Sequence, residues 1–160
     1  MKHDRIRSAC DEQLELVKGI TRTTIQEIYP HYYPGGAVSF FLSHHNDRNI
    51  AEDIQAGCVF ILFNEEDAAV GTVTVKGNEI CRLFVLPDHQ KKGIGRELMD
   101  FAEKRISEHY SCCRLDASLP AKAIYVKRGY VEVETHSISA EAGDFLCYDV
   151  LEKNMTPENP

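Results

Sequence analysis

Three consecutive segments with the composition of β-strands constrain the fold more than any other feature of the sequence. Cys58–Phe63 is apolar, Ala69–Val75 is rich in valine and threonine, and Glu79–Leu86 is an almost continuous apolar run. Only two short polar turns, Asn64–Asp67 and Gly77–Asn78, separate them. Strands joined by such short connections must pair antiparallel, because a parallel pair needs a long crossover. The middle of the chain therefore predicts three antiparallel strands in succession.

Helical and strand patterns on either side of these strands predict an α/β domain. Before them we expect a strand around Asp4–Arg7, helices over Asp11–Tyr29, Ala37–His44 and Asn49–Ala56, and a loop at His31–Gly36. After them we expect a helix over Gly93–Glu108, a strand at Arg114–Ala117, a short helix at Ala121–Lys127 and a hairpin of Tyr130–Ile138 and Asp144–Leu151. We predict an α/β (α+β) fold with a mixed, largely antiparallel central sheet of about six to seven strands flanked by helices. The length fits a single domain, expected over residues 1–155 with a frayed tail at 156–160.

Charge and hydropathy exclude several classes of protein. The chain carries 18 Lys and Arg against 25 Asp and Glu, so it lacks the basic excess of a general nucleic-acid binder. No apolar run approaches the roughly 20 residues that span a bilayer, and the N-terminus lacks the apolar core of a secretory signal. We therefore expect a cytoplasmic protein with no nucleic-acid or membrane partner. The six cysteines form no C-x-x-C pair, so we expect reduced thiols, with Cys58, Cys81 and Cys147 packed as small apolar residues, and no metal site.

Residues 82–96 carry most of the chemical information in the sequence. An apolar strand ends at Pro87, and a short polar loop follows and leads into the next predicted helix. The loop and the first turn of the helix hold three positive charges and two glycines: Lys91, Lys92, Gly93, Gly95 and Arg96. Free amides at a helix N-terminus bind anions, and glycine lets an anion approach the backbone closely. The segment thus predicts an anion site, although a turn that merely caps the helix has the same local pattern.

The glycine spacing excludes two common phosphate motifs and matches a third. A Rossmann fingerprint requires a glycine where Leu98 stands, and no Gly-Lys-Ser/Thr of a P-loop occurs. The pattern Gln90-x-x-Gly93-x-Gly95, after a strand ending in Leu83-Phe84-Val85-x-Pro87, closely resembles the acetyl-CoA-binding motif of the GCN5-related N-acetyltransferases (GNAT). Two further segments resemble that family in the right order, Ala123–Tyr130 and the closing strand Phe145–Tyr148. The resemblance covers about Ile6 to Lys153 and implies the GNAT fold.

The resemblance also implies which residues bind acetyl-CoA. The backbone of Leu83, Phe84 and Val85 would pair with the pantetheine arm as an added strand does. The amides of the following loop would hold the pyrophosphate; these residues are Gln90, Lys91, Lys92, Gly93, Ile94, Gly95 and Arg96. The family often has an asparagine that hydrogen-bonds the cofactor seven residues before a tyrosine. That tyrosine matches Tyr125, whereas the asparagine position here holds Ser118, which has a shorter reach.

Two of these positions are the predicted catalytic residues. Tyr125 matches the tyrosine that protonates the departing CoA thiolate, and its alternative role is that of an aromatic ring packed under the cofactor. Glu79 stands eleven residues before Gln90, which is the spacing of the catalytic glutamate in histone-acetylating members. Burial in a central strand would raise its pKa and make it a better base. Its alternative is a residue that only begins the strand, with ordered water or another side chain as the base.

The acceptor side is the least specific part of the interpretation. The first helices usually form the acceptor wall in this family, and here they offer Tyr29, Tyr32, Tyr33 and Phe40 as candidate substrate-binding residues. Aromatic rings in an acidic field suit a cationic amine such as a polyamine, an amino sugar or a lysine side chain. The same cluster is also typical of a core. Edge strands near the C-terminus would permit a homodimer.

These observations together predict an acetyl-CoA-dependent N-acetyltransferase that transfers the acetyl group directly to a primary amine of a small molecule or peptide. Acetyl-CoA would be a co-substrate, and no metal would take part. Two alternatives keep the fold: a protein that binds acyl-CoA without turnover, and an enzyme that transfers a different acyl group. A protein-interaction domain without a cofactor would leave the glycines and cations of residues 91–96 unexplained.

Overall fold

The structure is a computed structural model that describes residues 5–155. Its strands are β1 (Ile6–Ser8), β2 (Val59–Phe63), β3 (Ala69–Lys76), β4 (Glu79–Val85), β5 (Cys112–Ala117), β6 (Val131–Ser139) and β7 (Phe145–Asn154). Its α-helices are α1 (Leu14–Ile28), α2 (Gly35–His44), α3 (Asp47–Gln55), α4 (Ile94–Ser107) and α5 (Leu119–Lys127). The predicted tail at 156–160, and Asp4 of the first predicted strand, lie outside the described residues.

The strands form one seven-stranded sheet in the order β1-β2-β3-β4-β5-β7-β6. Every neighbouring pair is antiparallel except β4 and β5, which are parallel and are connected through α4. The prediction of a mixed, largely antiparallel sheet is therefore confirmed, as is the run of three antiparallel strands at its centre. No helix among residues 5–155 is long and apolar enough to cross a membrane.

The helices cover the two faces of the sheet, as the alternation of buried side chains along β2 makes clear. Phe60 and Leu62 belong to the core under α4, to which the helix contributes the buried residues Ile94, Leu98, Ala102 and Ile106. Val59 and Ile61 point the other way, into a cluster that they form with α1 and α3. All five β2 residues are buried because both faces of this strand are covered.

The start of α2 differs from the prediction, because a distant residue determines it. The sequence predicts a loop through Gly36, whereas a 3-10 turn occupies Tyr29–His31 and the helix begins at Gly35. The amide of Gly36 donates a 2.8 Å hydrogen bond to the carboxylate of Asp144, which lies in the β6–β7 connection. Pro34, the residue before the helix, has no side-chain acceptor to cap it. The Asp144 carboxylate takes the place of that cap by accepting a hydrogen bond from the first turn of the helix.

The edge of the sheet formed by β6 and β7 is more exposed to solvent than its apolar residues predict. Residues 131–137 of β6 are all exposed, and so is Cys147 on the neighbouring strand β7. The expected burial of Cys147 is therefore wrong, because its side of the hairpin lies uncovered. Cys58 and Cys81 are partly buried, and Cys113 is the thiol that the structure buries fully. All six cysteines are free thiols.

Candidate active site

The candidate site lies where β4 and β5 separate. The two strands are paired only through Glu79 with Arg114 and Ile80 with Leu115. At the next residue, Cys81, β4 has a bulge. Val75 of β3 pairs with Ile80 and the adjacent Thr74 pairs with Arg82, so Cys81 between them has no partner on β3. Beyond the bulge β4 continues beside β3 alone, while β5 continues beside β7 as far as Ala117. The sheet therefore contains a wedge-shaped gap between its two central strands.

The backbone of β4 presents polar groups to this gap. The amide of Leu86 donates a hydrogen bond to the carbonyl of Val70 on β3. Along an antiparallel pair of strands, residues that bond to the partner strand alternate with residues whose amide and carbonyl point away from it. The amides and carbonyls of Leu83 and Val85 consequently point away from β3, toward the gap. The Val85 carbonyl accepts hydrogen bonds from Gln90 Nε2 at 3.0 Å and from Thr24 Oγ1 at 3.3 Å. Gln90 thus ties the loop after β4 to the end of that strand.

The loop after β4 ends in a turn that directs amides outward at the start of α4. Lys91 has φ +61° and Gly93 has φ +82°, so two left-handed residues bracket Lys92. The first hydrogen bond of the helix runs from the amide of Glu97 to the carbonyl of Gly93, which leaves the amides of the first turn available to an anion. An added Cβ at Gly93 would meet no atom of residues 5–155 within 4 Å, so this turn has open space beside it in the described structure.

Positive charge surrounds the same turn. Lys91, Lys92 and Arg96 are exposed, and none of them forms an ion pair with any of residues 5–155. Unpaired cations beside free helix amides favour a multiply charged anion. The sequence-predicted loop residues are therefore brought together, and they suit a pyrophosphate.

A cavity of about 160 Å³ occupies the gap between β4 and β5. We call it the aromatic cavity. Its walls come from β4, β5, α2, α5, the last hairpin and the 3-10 turn after α1, and they include Tyr29, Phe40, Phe41, Leu83, Phe84, Ser118, Tyr125, Ile138, Leu146 and Tyr148. Leu83, Phe84, Ser118 and Tyr125, which the sequence predicts to contact the cofactor, share this cavity.

Tyr125 presents a buried phenol to the aromatic cavity. It is 9% exposed, its ring packs edge-on against Tyr130, and its hydroxyl has no hydrogen-bond partner among residues 5–155. Burial raises the pKa of Tyr125 to about 12, with a smaller contribution from Cys113. The hydroxyl is therefore a neutral proton donor near neutral pH.

A second cavity, of about 270 Å³, adjoins the first where β4 and β5 are still paired. We call it the polar cavity. Its lining includes His44, His45, Asn49, Glu52, Asp53, Lys76, Glu79, Arg82 and Asp116. The two cavities are neighbours beside the β4 bulge, because both are lined by His44, His45, Cys81, Arg82 and Asp116.

Glu79 is the carboxylate of the polar cavity best suited to accept a proton. It is half-buried, and no hydrogen bond or ion pair with the rest of residues 5–155 engages its carboxylate. Burial raises the pKa of Glu79, and the negative charge of Asp116 raises it further, against the opposing effects of Arg114 and Lys76. A carboxylate with a raised pKa is a stronger base than a free one.

The four aromatic residues predicted for the acceptor wall have different positions. Tyr29 and Phe40 line the aromatic cavity. Burial raises the pKa of Tyr29, with the nearby Ser118 opposing the rise. Tyr33 is buried, and its hydroxyl accepts the Leu119 amide at 2.7 Å, so it supports the start of α5. Tyr32 is 51% exposed and lines neither cavity.

The sequence analysis missed a buried polar network between the two cavities. Arg82 is 6% exposed and donates from Nε to His45 Nδ1 at 3.0 Å. Its guanidinium also contacts the carboxylate of Asp53 at 2.6 Å, and that carboxylate is paired with Lys76 at 2.7 Å. The one available signal was an arginine inside an apolar strand, which needs a buried partner.

Comparison with known proteins agrees with this geometry. A family model described as an acetyltransferase (GNAT) domain matches residues 28–143. Among curated proteins, the UPF0157 protein YqkA of Bacillus subtilis (strain 168) is 31% identical over 91 residues, which cover 52% of this chain and 26% of that protein. The chain therefore spans about a quarter of the length of this relative.

Solved structures share the fold over almost the whole chain. A GCN5-related N-acetyltransferase from Rhodopseudomonas palustris, also described as a class-II aminotransferase, superimposes with a TM-score of 0.84 at 23% identity, over 93% of this chain and 94% of the other. PaiA N-acetyltransferase from Thermoplasma acidophilum, solved with coenzyme A, gives 0.70 at 21% identity over 93% and 97%. YncA, a putative acetyltransferase from Salmonella typhimurium solved with acetyl-CoA, gives 0.70 at 13% identity over 97% and 95%. From the family match, supported by the shared fold, the chain belongs to the GNAT acetyltransferase family.

Proposed function

We propose that this protein is an N-acetyltransferase that transfers an acetyl group directly from acetyl-CoA to a primary amine of a small molecule or peptide. The observation that carries the proposal is the gap between β4 and β5, which leads from the amide-rich start of α4 to Glu79. An extended pantetheine arm could bond to the amide and carbonyl of Leu83 and to the amide of Val85 while the first turn of α4 holds its pyrophosphate.

Glu79 would solve the protonation problem of the acceptor. A primary alkylamine has a pKa near 10.4, so at pH 7 its reactive neutral form lies about 4.6 kcal/mol above the ammonium form. The half-buried Glu79 carboxylate would accept the ammonium proton, directly or through one water, as the amine enters the polar cavity. Its raised pKa reduces the cost of that transfer.

Tyr125 would complete the transfer on the other side of the reacting carbon. The amine nitrogen forms a bond to the acetyl carbon while the carbon–sulfur bond breaks, and the Tyr125 hydroxyl gives a proton to the departing thiolate. The nitrogen then loses its second proton, which restores the Tyr125 phenol by way of water, and the products are the neutral amide and the CoA thiol. The location of Tyr125 in the aromatic cavity, without a competing hydrogen-bond partner among the described residues, supports its role as proton donor. A backbone amide of β4 near Val85 would stabilise the negative charge on the acetyl oxygen.

The first test is calorimetric titration of the protein with acetyl-CoA, with ATP and NAD as control ligands. We expect micromolar binding of acetyl-CoA alone. Gly95 provides a matched pair of variants, because its Cβ position has only Val85 as a neighbour, at 3.9 Å. Gly95→Glu places a negative charge at the anion site and should abolish binding, whereas the isosteric Gly95→Gln should retain measurable affinity.

Turnover is tested by incubating the protein with acetyl-CoA and a panel of primary amines. Free CoA is measured by chromatography, because the exposed thiols of Cys10 and Cys147 would react with a thiol reagent. Release of CoA that depends on the amine supports the proposal. Binding without release on any amine would instead indicate a protein that only holds acetyl-CoA, and the absence of binding would refute the proposal altogether.

A further inference from the structure

His45 is a buried histidine whose two ring nitrogens have different surroundings. It is 9% exposed, and it lines both the aromatic and the polar cavity. Nδ1 accepts the hydrogen bond from Arg82 Nε at 3.0 Å. Because arginine remains protonated in proteins, Nδ1 must act as an acceptor and cannot carry a proton. The proton of the neutral ring therefore lies on Nε2.

The groups around His45 keep the ring neutral. The titratable groups near it are Arg82, His44 and Asp53, and Arg82 is held in place by Asp53 and Thr74. Burial, together with Arg82 and His44 and against the opposing effect of Asp53, lowers the pKa of His45 to about 3. His45 is therefore unsuited to be the base of the reaction, and it offers one fixed N–H group.

That N–H group has no protein partner and is not sealed from the cavities. No hydrogen bond to Nε2 occurs among residues 5–155, although the side chain is buried. Nε2 is also not among the fully enclosed side-chain atoms that form no hydrogen bond in the described structure. The unpaired donor therefore reaches the cavity space.

We infer that Nε2–H of His45 is a specificity-determining contact that binds a carboxylate or amide carbonyl oxygen of the acceptor. The inference rests on the proposed acetyl transfer and names the acceptor as an amino acid or peptide-like amine. The lining of the polar cavity offers two unlike kinds of group. The carboxylates of Glu79 and Asp116 form no ion pair with the rest of residues 5–155 and suit an ammonium group, whereas those of Glu52 and Asp53 are already paired with cations. His45, with the Arg82 cation behind it, suits an oxygen. A polyamine would leave this donor unpaired, at a cost in binding.

The tautomer is tested directly by NMR. In uniformly ¹⁵N-labelled protein, long-range proton–nitrogen correlations should report His45 as protonated on Nε2 only, without titration between pH 5.5 and 8. The His45→Asn variant assigns the signal by its loss. Protonation on Nδ1, or titration within that range, would overturn the inference.

The acceptor class is tested by comparing two sets of amines in the CoA-release assay. One set carries the oxygen (L-alanine, L-alaninamide and glycylglycine), and the other lacks it (sec-butylamine and spermidine). We expect turnover to favour the first set. His45→Asn keeps an acceptor near Nδ1 for Arg82 but removes the outer donor. It should lower kcat/KM for the oxygen-bearing set by roughly 10- to 100-fold and leave the second set unchanged.

Two further variants separate the outcomes. His45→Gln places an amide N–H near the Nε2 position and should recover part of the loss, whereas the variant His109→Gln, which changes an exposed residue after the C-terminal end of α4, should behave as wild type. Equal turnover of both sets, equal loss in both sets, or no turnover of the first set would refute the role of His45. Failure to bind acetyl-CoA in calorimetry would refute the proposed function itself, so the two failures are distinguishable.

Discussion

Two adjacent glycines at the start of α2 allow the contact between this helix and the last hairpin to be tested with a built-in control. A Cβ added to Gly36 would lie 2.7 Å from Asp144 Oδ2 and closer still to the carbonyl oxygen of Glu141. A Cβ added to Gly35 meets no atom of the described part of the chain within 4 Å. Neither glycine has a positive φ, so alanine suits the backbone at both positions. The two substitutions differ only in what the new methyl group contacts.

The two substitutions should change the free energy of unfolding in opposite directions. In Gly36→Ala the methyl must displace the backbone of the β6–β7 connection, and overpacking of this kind costs about 1–3 kcal/mol. Loss of the hydrogen bond from the Gly36 amide to the Asp144 carboxylate would add about 1.5–3 kcal/mol, since one partner is charged. Gly35→Ala should stabilise the protein by about 0.5–1 kcal/mol, because alanine loses less backbone entropy in a helix.

Urea unfolding followed by circular dichroism measures both variants against wild type, and calorimetry with acetyl-CoA provides the functional readout. Gly36→Ala should unfold at lower urea while keeping its affinity for acetyl-CoA, because the anion site on α4 lies elsewhere. The KM for the acceptor should rise, since the displaced hairpin carries Ile138, Leu146 and Tyr148 of the aromatic cavity. Equal stability of the two alanine variants would show that the β6–β7 connection does not pack closely against Gly36, and would refute the predicted destabilisation.

Two further predictions concern the proposed chemistry. Tyr125→Phe should lower kcat by roughly 100-fold or more, the usual contribution of a general acid, with little change in acetyl-CoA affinity by calorimetry; unchanged turnover would remove Tyr125 from the acid role. The pH profile of kcat/KM should rise as Glu79 loses its proton, at a pH above the ordinary glutamate pKa, because burial and Asp116 favour its neutral form. Glu79→Gln should abolish this ascending limb, and a variant profile identical to that of wild type would exclude Glu79 as the base.

Local sequence patterns predicted most of the scaffold. The turns at Asn64–Asp67 and Gly77–Asn78 determine that β2, β3 and β4 pair antiparallel, whatever surrounds them. The glycine loop before α4 is equally local, since its strand, its turn and its helix follow one another directly. These parts of the candidate site depend on interactions between residues that are neighbours in sequence, and such patterns are visible in the chain itself.

Features built from distant segments were not predictable in the same way. The network of Arg82, Asp53 and His45 joins β4, α3 and the end of α2, and no spacing rule connects those positions. The start of α2 depends on Asp144, which lies 108 residues away. Tyr32 and Tyr33 are adjacent and similar, yet one is exposed and the other is fixed to Leu119. Only the tertiary arrangement decides such differences.

The short pairing between β4 and β5 has a mechanical consequence. Within the sheet, two residue pairs at one end of β4 and β5 join the half formed by β1–β4 to the half formed by β5–β7. This short pairing is therefore a hinge between the two halves, and the gap between β4 and β5 widens away from it. A molecule that bonds to the backbone of β4 and also contacts the β5 side of the gap would join the two halves of the sheet at a second place. Occupancy of the site and stiffness of the whole sheet would then rise together, and hydrogen exchange in β5, far from the anion site, would slow on binding.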